Sequence, residues 1–317
     1  MNAIGGYFEL ELPNYSEYHQ DAVHLNSGRN ALEYILLANS YRKVYIPYFT
    51  CDVILEPLQR TNTFYEFYEI NQNLEPSFDF SKIDSDEAFL YTNYFGIKDT
   101  YTIGLINRVP NLIIDNAQSF YSKPIKDANT FYSPRKFFGL PDGGLVYCTK
   151  EIVVAETDTK STERISHLIK RLAFDAEIGY KDFSKNDSSL QDAPLQKMSK
   201  LTSRLLKSID YETAKKLRLS NFNFLHEHFK DFNLFPINKP DTQVPMVYPF
   251  RTKNTMLRKK LTENRIYTAK YWPNVSAWSN HKSIEQELVE EFVHLPVDQR
   301  YNHNDLKRIV KIILNYA

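Results

Sequence analysis

The sequence predicts an α/β protein, with a mostly parallel central sheet flanked by helices and a smaller C-terminal α/β domain. Three observations carry this expectation. Short apolar runs alternate with amphipathic segments through the first half of the chain, the pattern of strands joined by crossover helices. From about Glu163 the texture turns helical. A proline-punctuated stretch, Pro236 to Pro249, then leads into a last unit that again mixes strand and helix patterns.

Taken in order, Asn30–Asn39 reads as a helix because Ala31, Leu32, Ile35 and Leu36 share one face at helical spacing. Val44–Pro47 and Phe64–Ile70 read as strands, with a helix over Asp52–Arg60 between them. Further strand-like runs are Ala88–Thr92, Leu112–Asp115, Thr130–Tyr132 and Leu145–Thr149. A parallel sheet binds ligands beyond the carboxyl ends of its strands, so the residues just after these runs matter most. Glu163–Asp175 is helix-like, and Phe183–Asp192, rich in Ser, Asp and Asn, reads as a loop. A long charged helix is expected within Leu195–Phe232. This divides the chain into a large domain with a helical extension, 1–234, and a small domain, 235–317.

Composition excludes several classes of function. Lysine plus arginine equal aspartate plus glutamate, 39 against 39, so no net field draws the chain to nucleic acid or anionic lipid. Recognition of a phosphorylated ligand would need a local site. The two cysteines, Cys51 and Cys148, stand in no metal-ligand spacing with histidine, which argues against a disulfide scaffold or a metal centre. His226 and His228 lie two apart and would point to different helix faces. Lys215–Arg218 sits in the charged helix and reads as a solvated face, and Trp272 and Trp278 read as small-domain packing. The first residues, with Glu9 and Glu11, lack the blocks of a signal peptide. No apolar stretch approaches the roughly 20 residues that span a bilayer. A cytoplasmic protein with no nucleic-acid or membrane partner is expected.

Three local patterns carry chemistry. Asn26-Ser27-Gly28-Arg29-Asn30 is polar, turn-forming and runs straight into a helix. Free N–H groups and the dipole at such a start suit a phosphate, although in isolation an ordinary N-cap at Asn26 or Ser27 is the favoured reading. Leu112-Ile113-Ile114-Asp115-Asn116-Ala117-Gln118 ends an apolar run in a carboxylate. Facing a pyridinium nitrogen, that carboxylate would keep the ring protonated and able to accept electrons; the plain alternative is a strand-terminating cap. Gln118 could donate to a phenolic oxygen of the same ring. Ser133-Pro134-Arg135-Lys136-Phe137-Phe138 sets a lysine among aromatics, with Gly143-Gly144 turning into the next strand. A lysine desolvated there would be a better imine-forming nucleophile; the alternative is a surface hairpin with a snorkelling side chain.

The order of these patterns resembles that of the DegT/DnrJ/EryC1/StrS family of nucleotide-sugar aminotransferases, which have the fold-type-I pyridoxal-phosphate architecture. The resemblance runs over residues 24 to 149. Ser27-Gly28-Arg29 is similar to the family's Ser-Gly-Thr phosphate loop, and Asp115 with Gln118 to its Asp-x-x-Gln motif. Lys136, followed seven and eight positions later by Gly143 and Gly144, is similar to its cofactor-bearing lysine. Pro47-Tyr48-Phe49-Thr50, Asn93-Tyr94-Phe95-Gly96 and His294-Leu295-Pro296 resemble further family segments. The resemblance implies pyridoxal 5'-phosphate held by Ser27, Gly28, Arg29, Asp115, Gln118, Ser133, Lys136 and Tyr94, with Lys136 and Asp115 catalytic and no metal. It implies amino transfer from glutamate to a nucleotide-linked keto-sugar, in polysaccharide or deoxyaminosugar biosynthesis, by a homodimer. Arg29 replaces the family's threonine, and Phe131 and Leu195 stand at its phosphate-binding serine and asparagine positions. Ser133 is then the substitute phosphate hydroxyl. Cys51 replaces a ring-stacking aromatic, which leaves that role to Tyr94 or Phe95. A lyase or dehydratase, or a non-catalytic relative that kept the fold, is the rival reading.

Overall fold

The computed structural model describes residues 4–280 and 283–316. Residues 1–3, 281–282 and 317 of the two expected domains lie outside the described residues. The chain begins with β1 (Val23–Leu25), α1 (Gly28–Asn39), β2 (Lys43–Pro47), α2 (Leu55–Arg60), β3 (Phe64–Ile70), β4 (Pro76–Ser77) and β5 (Glu87–Thr92). It continues through α3 (Asp99–Leu105), β6 (Leu112–Asp115), β7 (Asn129–Tyr132) and β8 (Gly144–Tyr147). Five helices follow, α4 (Ser161–Arg164), α5 (Ser166–Ala173), α6 (Ala176–Ser189), α7 (Lys200–Leu206) and α8 (Tyr211–Phe229). The last part holds β9 (Val247–Arg251), α9 (Leu257–Glu263), α10 (Val275–Trp278), α11 (Ile284–Glu291), β10 (Phe292–Pro296) and α12 (His303–Tyr316).

Eight strands form one sheet in the order β1-β8-β7-β6-β5-β2-β3-β4, and β9 and β10 form a second, antiparallel pair. From β3 to β7 through β2, β5 and β6 every pairing is parallel, while β8 runs antiparallel to both β7 and β1. The expected mostly parallel sheet is therefore present. Its central strands are buried on both faces because successive side chains alternate. On β5, Ala88 and Leu90 join the layer under α1, whereas Phe89 and Tyr91 face the opposite layer. Ile113 of β6 follows the first pair and Leu112 and Ile114 the second. The α1 face of Ala31, Leu32, Ile35 and Leu36 closes the first layer as its periodicity predicts. Aromatic residues fill the second layer, which runs on into the C-terminal elements.

Two expectations need correction. Phe183–Asp192 is mostly helix, since α6 extends to Ser189. Its Ser, Asp and Asn residues lower helix propensity by only a few tenths of a kcal/mol each, and packing of α6 on α5 outweighs that. The long charged helix expected within Leu195–Phe232 is α8, which starts where Asp210 accepts from Thr213 N–H at 2.9 Å, after the shorter α7. Trp272 and Trp278 do not pack only within the last unit. Trp272 meets Phe49 edge-on with ring centroids 4.6 Å apart, and Trp278 lies 5.0 Å from Phe67. Among the described residues no helix is long and apolar enough to cross a membrane.

Candidate active site

Sheet register brings the three sequence patterns to one edge. The parallel strands β5, β6 and β7 end there, at Thr92, Asp115 and Tyr132, with Thr92 opposite Asp115 and Asp115 opposite Phe131. Antiparallel β8 starts at the same edge, and β1 ends there with Leu25 opposite Gly144. The segments after β1, β6 and β7 and before β8 therefore surround one position, although they lie far apart in sequence.

The glycine pair makes the close approach possible. Gly143 N–H donates to Asn26 O at 2.5 Å, and Gly143 has a φ of +129° that an L side chain resists. A Cβ on Gly144 would overlap the Ser27 carbonyl and lie 2.9 Å from Gly28 N. Ser27 is the N-cap of α1, its Oγ accepting from Asn30 N–H at 3.2 Å. The ordinary cap is thus realised, and it leaves the first-turn amides of Gly28 and Arg29 without intrahelical acceptors. Ser133 lies against this turn, 3.6 Å from a Cβ built on Gly28. Gly28, the Arg29 amide and Ser133 consequently form a cradle of the kind an anion takes at a helix start. The guanidinium of Arg29 does not belong to it. It pairs with Glu56 at 3.1 Å and donates to Leu190 O at 3.2 Å.

Asp115 is 9 % exposed. Burial raises the pKa of its carboxyl, while attraction to Lys136 acts in the opposite direction, as do the Ala117 N–H and Thr92. Oδ1 accepts from Ala117 N–H at 2.8 Å, the strand-cap role, and Oδ2 has only a 3.5 Å contact from Thr92 Oγ1. Gln118 is fully buried. Its Oε1 accepts from Phe95 N–H at 3.0 Å, which fixes the amide, and its Nε2 is buried without a partner among the described residues. Phe95 adopts a φ of +58°, a strained value for a non-glycine residue.

Lys136 sits in a short 3₁₀ turn, Pro134–Lys136, whose N–H groups at Lys136 and Phe137 donate to Ser133 O and Pro134 O at 3.1 and 2.9 Å. Side chains in such a turn fan out by about 120°. Phe137 and Phe138 enter the core, and Lys136 is exposed. The expected desolvation by aromatic neighbours is therefore absent. Its charge acts on the Asp115 carboxyl and on the Cys51 thiol, and the thiol is raised in pKa first by burial, with Lys136 opposing. Tyr94 has no open face. It is fully enclosed, its hydroxyl donates to Phe49 O at 3.0 Å, and its ring is edge-on to Tyr91 and Trp272. Of the eight expected site residues, seven border the sheet edge, Arg29 by its backbone, and Tyr94 lies behind them.

Two residues read otherwise from the sequence lie near the Lys136 turn. The Cys51 thiol feels the charge of Lys136. Arg218, expected on a solvated helix face, is buried against Phe137. Its signal was present, since Tyr211, Ala214, Arg218, Asn221, Phe222, Leu225 and Phe229 are the buried positions of α8 and fall on one helical stripe.

No protein-family model and no curated protein sequence matches the chain. Solved structures do. NtdA from Bacillus subtilis, crystallised with bound cofactor PMP, aligns with a TM-score of 0.66 at 15 % identity over 93 % of this chain and 73 % of its own. A sugar aminotransferase from Micromonospora echinospora aligns with a TM-score of 0.58 at 14 % identity, covering 92 % and 86 %. A DegT DnrJ EryC1 StrS aminotransferase from Brucella abortus gives 0.59 at 13 %, covering 93 % and 86 %. This chain has the fold-type-I aminotransferase fold of these proteins.

Proposed function

We infer that the protein is a pyridoxal-phosphate-dependent aminotransferase acting on a keto-sugar, with Lys136 as the cofactor-bearing lysine. The observation that carries this is the convergence at one sheet edge of the Lys136 turn, the buried Asp115 carboxylate and the Gln118 amide, whose Nε2 has no hydrogen-bond partner among the described residues. A lysine, a buried carboxylate and a lone amide donor are what a pyridine ring with an aldehyde and a phenolic oxygen requires. The residues fit that group. The fold shared with a PMP-bound protein and a sugar aminotransferase supports the same reading.

When bound, the cofactor supplies an electron sink for charge developing at the α-carbon of an amino donor. Asp115, with Oδ1 fixed by Ala117 N–H, would be the carboxylate that keeps the ring nitrogen protonated. Gln118 Nε2, oriented by the bond from Phe95 N–H, would be the donor to the phenolic oxygen. The amides of Gly28 and Arg29, with Ser133 Oγ, would hold the phosphate. Lys136 Nζ, free as an amine, would serve as the general base and then acid that moves the proton. By resemblance the donor is glutamate, the acceptor a nucleotide-linked keto-sugar, and the working unit a cytoplasmic homodimer of chains with domains 1–234 and 235–317.

A non-catalytic relative is favoured by one observation: Phe131 is buried in the sheet and the Arg29 guanidinium is held by Glu56, so side-chain contacts to the phosphate are few. One experiment separates the readings. Protein saturated with cofactor and given glutamate, or other amino donors in turn, should lose the absorbance of the Lys136-bound form and gain that of the aminated cofactor. Cofactor bound at Lys136 with no such change for any donor would reject the transaminase.

A further inference from the structure

Arg218 is the largest side chain in the fully buried set, with 1 % exposure on the inward stripe of α8. Burial pulls its pKa down to about 10, opposed mainly by Asp298. Yet Asp298 is engaged by Arg300 at 2.7 and 2.9 Å, and among the described residues no carboxylate pairs directly with Arg218. An unpaired buried cation is costly, so its donors should be fixing something. Nη2 donates to Phe137 O at 3.1 Å, Nη1 to Met246 O at 3.2 Å and Nε to Gln299 Oε1 at 2.8 Å. Gln299 Nε2 donates to the same Phe137 carbonyl at 3.0 Å. The guanidinium also lies 4.6 Å from the centre of the Phe137 ring, within cation–π range.

We propose that Arg218 and Gln299 are positioning residues for Lys136: together they clamp the peptide that follows the lysine and tie it to the C-terminal segments. Phe137 is held by its carbonyl, through two donors, and by its ring. On the other side, Lys136 N–H is fixed to Ser133 O. The lysine backbone is thereby pinned at both ends, which restricts the directions its exposed side chain can take. Met246 directly precedes β9 and Gln299 follows β10, so displacement of the β9–β10 unit would be felt at Lys136 through one guanidinium. Arg suits this place and Lys does not, because only a planar fork serves three acceptors while lying on a ring.

The inference rests on the assignment of Lys136 as the reactive lysine, and its test does not need cofactor. Gln299→Leu removes a donor to Phe137 O without changing charge. In cofactor-free protein, acetylation of each lysine by a trace of acetic anhydride is followed against pH by peptide mass spectrometry. With its backbone released, Lys136 should change its rate of acetylation relative to the other lysines by about threefold or more. Lys43 and Lys98, ion-paired elsewhere, should keep their profiles. Arg218→Lys should change the Lys136 rate similarly, and Gln299→Leu serves if that variant fails to fold. In the loaded enzyme, the first half-reaction should slow by about tenfold with donor affinity little changed. An unchanged Lys136 profile in folded Gln299→Leu would overturn the clamp while leaving the proposed function standing. Wild-type protein that binds cofactor at another lysine would overturn that function, whereas the change in labelling reports on the clamp alone.

Discussion

Asp115→Asn should make the cofactor-free protein more stable and the loaded enzyme slower. The carboxylate is 9 % exposed, and burial raises its pKa. Because the folded value lies above the unfolded one, the favourable contribution belongs to the protonated form. It is present at pH below the unfolded value and lost as pH rises through the folded one. At neutral pH the native protein therefore bears a desolvation cost, only partly offset by Lys136. Asparagine keeps an oxygen for Ala117 N–H, 2.8 Å away, and removes the charge. A gain of about 1 kcal/mol, typical for relieving a functional-site compromise, corresponds to roughly 1–2 °C for a protein of this size. The gain should shrink as pH falls into the range where Asp115 itself becomes protonated. In catalysis the neutral amide cannot hold the ring proton. Loss of one charge-assisted bond, about 1.5–3 kcal/mol, slows the chemical step by roughly 10- to 150-fold. Calorimetry of cofactor-free protein between pH 4 and 8 and the glutamate half-reaction measure the two effects. Near-normal turnover, or a variant less stable than wild type at pH 7, would refute the reasoning and reduce Asp115 to a strand cap.

Gly144→Ala should cost about 3 kcal/mol in urea unfolding, the upper end for overpacking, because the new Cβ meets the backbone of Ser27 and Gly28 rather than a yielding side chain; cofactor affinity should fall with it, and stability within 0.5 kcal/mol of wild type would contradict the packing described. His19 is buried and neutral, with ring nitrogens at Phe120 O (2.6 Å) and the Tyr147 hydroxyl (3.2 Å), and burial lowers its pKa to about 4. A depressed folded value gives stability that is present above the unfolded value near 6.5 and is lost as pH falls toward 4. His19→Gln should flatten the pH dependence of unfolding free energy across that window by about 2–3 kcal/mol, and an unaltered slope would show that His19 does not set it.

Much of the fold was legible because its signals are local. The strand limits of β3 and β6 agree with the apolar runs, and α1 buries the face that its period marks. The grouping of the three patterns at one sheet edge was legible by order and spacing, since it follows from strand direction. What escaped depends on contacts distant in sequence. Helix α6 is polar enough to read as a loop, and the contacts that hold it, packing on α5 and the bond from Asn186 to Pro141 O, come from elsewhere in the chain. Arg218 looks like one of a run of basic residues until its phase on α8 is counted. The side chain of Arg29 could not be placed from the loop that contains it, because Glu56 and Leu190, which hold it, come from elsewhere. Tyr94 has the chemistry to stack on a ring, but the aromatic layer around Trp272 encloses it. Exposure of Lys136 likewise follows from the 3₁₀ turn, not from the identity of its neighbours.

The central assignment, Lys136 as the carrier of the cofactor, is tested most directly by covalent capture. Protein incubated with pyridoxal phosphate is reduced with borohydride, digested and mapped by mass spectrometry. The label should lie on Lys136, in the peptide that joins Ser133 to the Gly143-Gly144 turn, and should vanish in Lys136→Ala while that variant stays folded. A label on any other lysine, or none at saturating cofactor, would contradict the assignment.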